Sequence, residues 1–345
     1  MLIAKKEVKR MLDDRKKRIL QAIIEEYIET AEPVSSGAVV KNYNLGFSSA
    51  TIRNDMADLE IVGYLDKPHT SAGRIPSDKG YRFYVDELLK EDKLTLKEIE
   101  YMKSKLETKV NQIQDLTKIA TETLSEMTHY TTVLLDSNIE EHKIVDIKFI
   151  LLGNRMVLAV ILTDAGVIKE SIIRFNEDVS QEQVDSINYI FNNRLIGQTL
   201  DKIDSSMEQY IKSEMTNSIN VIKPVIEQLN REIVKKSNVY LEGTNKLLDF
   251  PELKKFDTTK NFLNLINEKE LVAHILNNGV ASEIDIHIGN ENDYDELKDF
   301  SIITFKHILE GKHIGTIGII GPTRMNYSKV VSIMKYISKK LNERD

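Results

Sequence analysis

Residues 48–60, Ser-Ser-Ala-Thr-Ile-Arg-Asn-Asp-Met-Ala-Asp-Leu-Glu, form the most informative segment of this 345-residue chain. A serine side chain can accept a hydrogen bond from a free amide in the first turn of a helix, so Ser48 or Ser49 predicts a helix start. Ile52, Met56 and Leu59 then recur at helical spacing. This spacing predicts one buried stripe along the helix.

The opposite side of this helix carries small and polar side chains that suit a DNA groove. Arginine can bond two acceptors on guanine, asparagine can pair with the adenine edge, and alanine lets the backbone approach closely. The candidate DNA contacts on this helix are Ser49, Thr51, Arg53 and Asn54. The alternative for Arg53 is a structural ion pair with Asp55, Asp58 or Glu32. Because a carboxylate repels phosphate, we expect Asp55 to orient a nearby arginine or lysine instead.

Two helices are predicted ahead of this one. Asp13 and Asp14 predict a start, and apolar residues then repeat at intervals of three and four to about Glu29. Pro33 ends that helix, and a short helix follows to about Asn42. Three helices with a tight turn before the third are typical of a helix-turn-helix.

The segment after this helix predicts a two-stranded wing. Residues 64–67 are strand-like, Ala72-Gly73 supplies a turn, and residues 74–76 return. Side chains at the tip suit phosphate oxygens or a minor groove. These candidate contacts are His69, Thr70, Ser71 and Arg74. For the aromatic residues that follow, from Tyr81 onwards, we favour core or hinge packing over base stacking.

Beyond residue 90 the patterns predict one long helix and two strand-rich regions. The helix spans Leu94–Met127 without proline or glycine, and its heptad spacing fits a coiled coil or packing on a sheet. Strands at 144–152, 156–163 and 167–175 form an antiparallel meander. Helices follow at 180–236, broken by Gly197 and Pro224. Further strands at 239–241, 283–288, 301–308 and 313–320 precede a closing helix at 327–341.

Composition limits the possible functions. With no cysteine the chain has neither disulfide nor Cys-ligated zinc. The first residues lack an apolar export segment, and the longest apolar run, Met156–Leu162, is far below the roughly 20 residues of a membrane span. We therefore expect a cytoplasmic protein. The net charge is −7, and residues 1–90 hold 15 cationic against 14 anionic residues, so any DNA contact must come from local placement of cations.

No catalytic, cofactor or metal site is predicted. The seven histidines show no metal-ligand spacing. The spacing of Gly315, Gly318 and Gly321 superficially resembles a nucleotide-binding loop. These glycines alternate with isoleucines on a predicted strand, which favours a crowded position in a sheet.

Residues 11–86 resemble the HrcA family of heat-inducible transcription repressors. The most specific motifs are Pro-His-Thr-Ser-Ala-Gly-Arg-Ile-Pro at 68–76 and Lys-Gly-Tyr-Arg-Phe-Tyr-Val-Asp at 79–86, with Tyr27 and Glu-Pro-Val at 32–34 in addition. The segment at 48–60 is shared in kind with other winged-helix repressors, including the DeoR type. The order of parts beyond residue 90 also fits, so the resemblance covers nearly the whole chain.

The resemblance implies an α+β multidomain protein. Its expected parts are an N-terminal winged helix-turn-helix domain at 1–90 with its core at 11–86, a GAF-like α/β domain from 91–138 and 238–345, and an inserted dimerisation domain at 139–237, which holds the three-stranded antiparallel sheet and helices. It implies repression of chaperone operons through the inverted-repeat operator CIRCE, with release on heat stress. The implied partners are double-stranded DNA, a second copy of the chain and the GroE chaperonin.

Two other function classes stay open at this stage. One is a winged-helix repressor controlled by a small effector in the GAF-like domain. The other is an enzyme with an appended DNA-binding module, which no nucleophile–base pair in the sequence supports.

Overall fold

The computed structural model describes residues 12–68, 73–107, 113–136, 142–199, 219–229, 239–277, 283–309 and 311–342. Its architecture is α+β, with helices packed around a two-stranded, a three-stranded and a five-stranded sheet. All strand pairs in these sheets are antiparallel.

Three helices and a small hairpin form the amino-terminal part of the chain. Helices α1 (Asp14–Thr30), α2 (Ser36–Asn42) and α3 (Ser49–Ile61) are followed by strands β1 (Leu65–Asp66) and β2 (Ile75–Pro76), which pair with each other. The predicted helices and the predicted hairpin are therefore confirmed.

Side-chain caps explain where these three helices begin. Asp13, Ser35 and Ser48 each accept a hydrogen bond from a backbone amide three residues later. Such caps satisfy amides that have no partner within the helix. The three helices then bury a shared apolar core, in which Ile23 and Ile52 are fully inaccessible to solvent.

The predicted single helix over 94–127 is wrong. After α4 (Asp78–Phe83), which continues as a π-helical turn to Leu88, come α5 (Leu96–Leu106) and α6 (Ile113–Thr128). Lys105 of α5 lies 3.3 Å from Glu126 of α6. One helix would hold these residues roughly 30 Å apart, because it rises about 1.5 Å per residue.

Helices α5 and α6 pack against each other. The burial gained by this packing favours two helices over one long helix, although the sequence between them contains no proline or glycine. Each contributes buried apolar residues to the main core, among them Met102 from α5 and Leu124 from α6. Helix α6 also packs on strand β3 (Thr131–Asp136), so of the two alternatives for this region the structure shows packing on a sheet.

The five-stranded sheet consists of β3 (Thr131–Asp136), β7 (Val239–Glu242), β8 (Asp285–Ile288), β9 (Phe300–Leu309) and β10 (Lys312–Pro322). Their order in the sheet is β7-β3-β10-β9-β8. Strand β3 was not predicted, whereas the other four were. Helices α9 (Phe256–Asn267), α10 (Lys269–Asn277) and α11 (Tyr327–Asn342) complete this part.

Glycines of β10 occupy crowded positions in the five-stranded sheet, as predicted. A Cβ at Gly315 would lie 2.9 Å from the carbonyl oxygen of Leu135, and one at Gly318 would lie 3.3 Å from Thr304. These glycines allow close packing of the sheet.

The predicted meander is the three-stranded sheet, with β4 (Ile144–Gly153), β5 (Met156–Thr163) and β6 (Ile168–Arg174) in that order. Helices α7 (Gln181–Leu195) and α8 (Ile219–Leu229) share a separate hydrophobic core with it.

The predicted helix breaks at Gly197 and Pro224 differ in outcome. Helix α7 ends before Gly197, which has φ +81°. Pro224, however, lies inside α8, so the predicted break there is wrong. Proline loses one helical hydrogen bond, and the burial of Ile222, Val225 and Leu229 in the core beside it offsets that loss. The rest of the predicted helical stretch, at 200–218 and 230–236, lies outside the described residues.

Candidate nucleic-acid interface

The first turn of α3 is held by hydroxyl groups. Ser48 caps the helix through the Thr51 amide, and its Oγ lies 2.9 Å from the Thr51 hydroxyl. Ser49 Oγ lies 3.0 Å from Ser36 Oγ, which joins the start of α3 to the start of α2. Because a hydroxyl has one donor and two acceptor sites, Ser49 and Thr51 retain capacity for a further hydrogen bond.

The outer side of α3 is exposed at Ala50, Arg53 and Asn54. Among the residues that the structure describes, neither the Arg53 nor the Asn54 side chain has a hydrogen bond or ion pair. The guanidinium group of Arg53 and the amide group of Asn54 are thus open to solvent, and the small side chain of Ala50 lies on the same side of the helix. This arrangement can supply the two bidentate contacts that read guanine and adenine.

The buried side of α3 holds a carboxylate that is already paired. Asp55 accepts hydrogen bonds from Arg15 Nε at 2.9 Å and Nη2 at 3.1 Å, and its side chain is 5% exposed. Asp58 pairs with Lys16 at 2.8 Å. Arg15 and Lys16 therefore take Asp55 and Asp58, two of the three carboxylates that the ion-pair alternative offered to Arg53. The expectation that Asp55 orients a nearby arginine is confirmed.

The hydrogen bond with Asp55 raises the pKa of Arg15 above its ordinary value, so the Arg15 guanidinium stays protonated. Sequence analysis could not name Arg15, because it lies 40 residues before its partner. The only signal was an acidic residue on the buried stripe of α3. Arg15 joins the start of α1 to the inner side of α3 and so fixes how α3 is presented.

Arg74 directly precedes β2, at the loop end of the β1–β2 hairpin. Its Nε donates to Glu60 Oε2 at 2.7 Å, and its side chain is 16% exposed. Its backbone forms a bridge with Val34. Gly73 beside it has no room for a side chain, since a Cβ there would lie 2.6 Å from the Pro33 carbonyl oxygen. The structure thus ties this end of the hairpin to α3 and to the loop after α1.

The other three hairpin candidates, His69, Thr70 and Ser71, lie outside the described residues. The eight candidates therefore divide into four on α3, one directly before β2, and three whose placement the structure does not describe.

The Gly-Tyr-Arg-Phe-Tyr motif packs inward, as predicted for its aromatic residues. Tyr81 is buried against Tyr327, with ring centroids 5.8 Å apart, and Tyr64 meets Phe83 at 5.2 Å. Arg82, for which no role was predicted, binds Glu291 more than 200 residues away. The one indication in the sequence is that Arg82 stands between aromatic residues, where a charged guanidinium group needs a polar partner.

Two negative observations apply to the described part of the chain. Within those residues, no group of three or more histidine, aspartate or glutamate side chains is arranged to hold a metal ion. No helix in the same ranges combines the length and apolar character needed to cross a membrane.

Comparison with known proteins shows which protein family this sequence matches. The family model HrcA, described as the HrcA protein C terminal domain, matches residues 114–331. The heat-inducible transcription repressor HrcA of Ruminiclostridium cellulolyticum is 43% identical over 338 residues, covering 96% of this chain and 97% of the relative. The protein of the same description from Acetivibrio thermocellus is 43% identical over 336 residues, covering 96% of both chains.

A solved structure is similar along the whole chain. A crystal structure described as that of a hypothetical protein, at 25% identity, superposes with a TM-score of 0.65 and covers 96% of this chain and 98% of its own. The sequence relatives and the solved structure each cover 96% of this chain. The chain belongs to the HrcA family of heat-inducible transcription repressors, whose members regulate transcription negatively and are not enzymes.

Proposed function

We propose that the protein represses chaperone operons by binding an inverted-repeat operator of the CIRCE type as a homodimer. The observation that carries this proposal is the division of α3 into two sides. Its inner side is buried and its carboxylate is paired with Arg15, whereas Arg53 and Asn54 are exposed and unpaired among the described residues. In a major groove Arg53 reads guanine and Asn54 reads adenine, with Ser49 and Thr51 beside them.

Helices α1–α3 and the β1–β2 hairpin support a winged helix-turn-helix at residues 1–90. In this proposal the wing residues His69, Thr70, Ser71 and Arg74 bind phosphate oxygens or a minor groove. Glu60 orients the Arg74 guanidinium and also reduces its net attraction for phosphate. The wing therefore adds affinity with little base preference, while α3 supplies the specificity.

An inverted repeat requires two copies of α3 related by a two-fold axis, about 34 Å apart along the DNA. The outer face of the three-stranded sheet supports the dimer. Ile150, Leu158 and Ile172 form one row across its three strands. The large apolar side chains of this face that stay exposed are Ile150, Leu152, Met156, Ile168 and Ile172.

Contiguous exposed apolar surface of this kind marks an interaction site on soluble proteins. A second copy of the chain fits it, because the operator itself requires two-fold symmetry. Residues 139–237 are then the inserted dimerisation domain, and residues 91–138 with 238–345 form the GAF-like domain that links it to the DNA-binding unit.

Regulation follows from the fraction of chain that is folded and dimeric. Heat lowers that fraction, and the GroE chaperonin raises it when other unfolded clients do not occupy it. Operator DNA binds only the folded dimer and so stabilises it by mass action. The words "heat-inducible" in the description of both relatives support this part of the proposal.

The alternative of a small effector in the GAF-like domain gains little from the cavity that is lined by residues of that domain alone. The cavity lined by Ile275, His287, Asn292 and Tyr294 has a volume of about 40 Å³. That volume accommodates water molecules, whereas sites for small ligands measure roughly 300–1,000 Å³.

A footprint on the chaperone promoters of the same organism tests the proposal. Purified protein should protect an inverted repeat, lose this protection on mild heating, and regain it faster when GroE is added. Protection that is absent from every chaperone promoter, or that depends on an added metabolite, would favour another kind of repressor.

A further inference from the structure

Arg82 of α4 is held by the segment that ends strand β8. Its Nε donates to Glu291 Oε1 at 2.8 Å, and its Nη2 donates to Glu291 Oε2 at 2.5 Å and to the carbonyl oxygen of Ile286. Glu291 also accepts from the Ile288 amide at 2.8 Å. These bonds raise the pKa of Arg82, with the Glu291 contact as the largest cause.

Asp78, one turn earlier on α4, binds the same segment. Its Oδ2 accepts from the Asn290 amide at 2.9 Å and from Asn290 Nδ2 at 2.7 Å. Gly289 has φ +51°, and a Cβ there would lie 2.4 Å from the Asp78 carboxylate. Asp78 and Arg82 with residues 286–291 are here called the α4–β8 junction.

Further contacts hold α4 and α1 on the five-stranded part of the chain. Tyr81 packs on Tyr327 at the start of α11, and both side chains are buried. Arg324 donates to the carbonyl oxygen of Ile28 in α1 at 3.0 Å. One hydrophobic core runs without interruption from the amino-terminal helices into the five-stranded sheet. Arg82 is therefore one of several contacts that hold the two parts together.

A guanidinium–carboxylate pair adds little net stability, because removing both charges from water offsets their attraction. Its two parallel hydrogen bonds do fix the angle and distance between the groups that carry them. At this junction the backbone groups of Ile286 and Ile288 also bind the Arg82–Glu291 pair. Asp78, a second charged residue of α4, binds Asn290 in the same segment. Orientation is therefore the property that it controls.

We infer that Arg82 is a positioning residue for operator recognition, because the α4–β8 junction sets the direction in which α3 points from the five-stranded sheet. This inference rests on the proposed dimer bound to an inverted repeat. With the junction intact, two copies of α3 are held at one separation and the protein selects one spacing between half-sites. Since each added base pair rotates the second half-site by roughly 34°, a fixed α3 penalises altered spacings strongly.

The test compares operators of different half-site spacing on the full-length protein. Dissociation constants are measured for the native inverted repeat, for repeats with one to five base pairs inserted, and for a single half-site. The variants are Arg82→Ala, Arg82→Glu, and Arg82→Glu combined with Glu291→Arg. Lys298→Ala is the matched control, because it removes an exposed ion pair with Asp295 in the same part of the chain.

We expect Arg82→Ala to bind the half-site as the unaltered protein does and to bind the native repeat on the order of tenfold more weakly, because a loosened second reader has a lower effective concentration. Its preference for the native spacing over altered spacings should shrink. Arg82→Glu should reduce the preference for the native spacing further, and adding Glu291→Arg should restore part of that preference. The control should behave as the unaltered protein.

Equal spacing preference in the unaltered protein and in folded Arg82 variants overturns the inference. If the Arg82 variants do not fold, Asp78→Ala gives the same comparison, since it removes the Asn290 contacts and leaves Arg82 paired; an unchanged spacing preference there also overturns it. A different result, in which the unaltered protein binds the repeat no better than the half-site, contradicts the proposed dimeric function itself.

Discussion

Replacing Ile172 with alanine is expected to weaken the proposed dimer without unfolding the monomer. Ile172 is 49% exposed on the outer face of the three-stranded sheet, next to Leu158. Complete burial of an isoleucine side chain contributes about 1.5–3 kcal/mol, so its exposed half has about 1 kcal/mol still to gain at an interface. A symmetric dimer contains two copies, and the expected loss is about 2 kcal/mol, or about 30-fold in the dissociation constant.

Sedimentation velocity over a dilution series measures this constant, and a gel shift on the inverted repeat reports its consequence. Ile172→Asp should go further and give monomer at micromolar concentration, because the interface would bury an unpaired charge. Tyr189→Ala is the control. Tyr189 is 73% exposed on α7, which packs on the opposite face of the same sheet.

Two results would refute this reasoning. An unchanged dissociation constant for Ile172→Asp, with a native circular dichroism spectrum, would remove the sheet face from the interface. Dissociation caused by Tyr189→Ala but not by Ile172→Ala would move the interface to the helical side.

The remaining predictions concern DNA reading, the junction and pH. Arg53→Ala should relax base preference in a competition assay, whereas Arg74→Ala should weaken all sequences alike and lower the salt slope by roughly one ion; equal loss of specificity from both would contradict the division of roles. Operator DNA at a hundredfold excess over its Kd should stabilise the folded protein by about 2.7 kcal/mol, seen as a higher Tm in calorimetry, and an unshifted Tm would count against mass-action control. Gly289→Ala should cost about 1–2 kcal/mol of unfolding free energy in urea, because it strains a positive φ and displaces Asp78; wild-type stability would show that Asp78 is not held there. Burial lowers the pKa of His307 to about 4, so as pH falls from 6.5 the unfolded chain takes up a proton before the folded one, and stability falls by at most about 3 kcal/mol down to pH 4; urea titrations should show a flatter pH dependence for His307→Gln, and an identical slope would contradict the assignment.

Much of the amino-terminal fold could be predicted because its signals are local. A serine or aspartate cap, a stripe at helical spacing and a proline each act within a few residues of the position that they define. The starts of α2 and α3 follow from Ser35 and Ser48 in this way. The meander was equally accessible, since alternation and short turns specify neighbouring strands.

The predictions of secondary structure are wrong where residues distant in the sequence decide the local structure. Strand β3 lies between β7 and β10, whose residues come more than 100 positions later, and its consecutive buried residues give no alternation. The heptad spacing of apolar residues in α5 and α6 is the same as in one long helix. Only the packing of the two helices against each other distinguishes two helices from one. Pro224 stays within a helix because the core holds its neighbours.

The sequence by itself determined which side chains can read DNA, because the chemistry of Arg53 and Asn54 and their place on the polar side of a helix are properties of a short segment. Only the tertiary structure decided which charges remain available. It paired Asp55 with Arg15 across 40 residues and Arg82 with Glu291 across 209. Such pairs form when folding brings distant positions to hydrogen-bonding distance, and no local spacing records that distance. The segment at 48–60 thus supplies the proposed recognition groups, and contacts from the rest of the chain hold the helix that carries them.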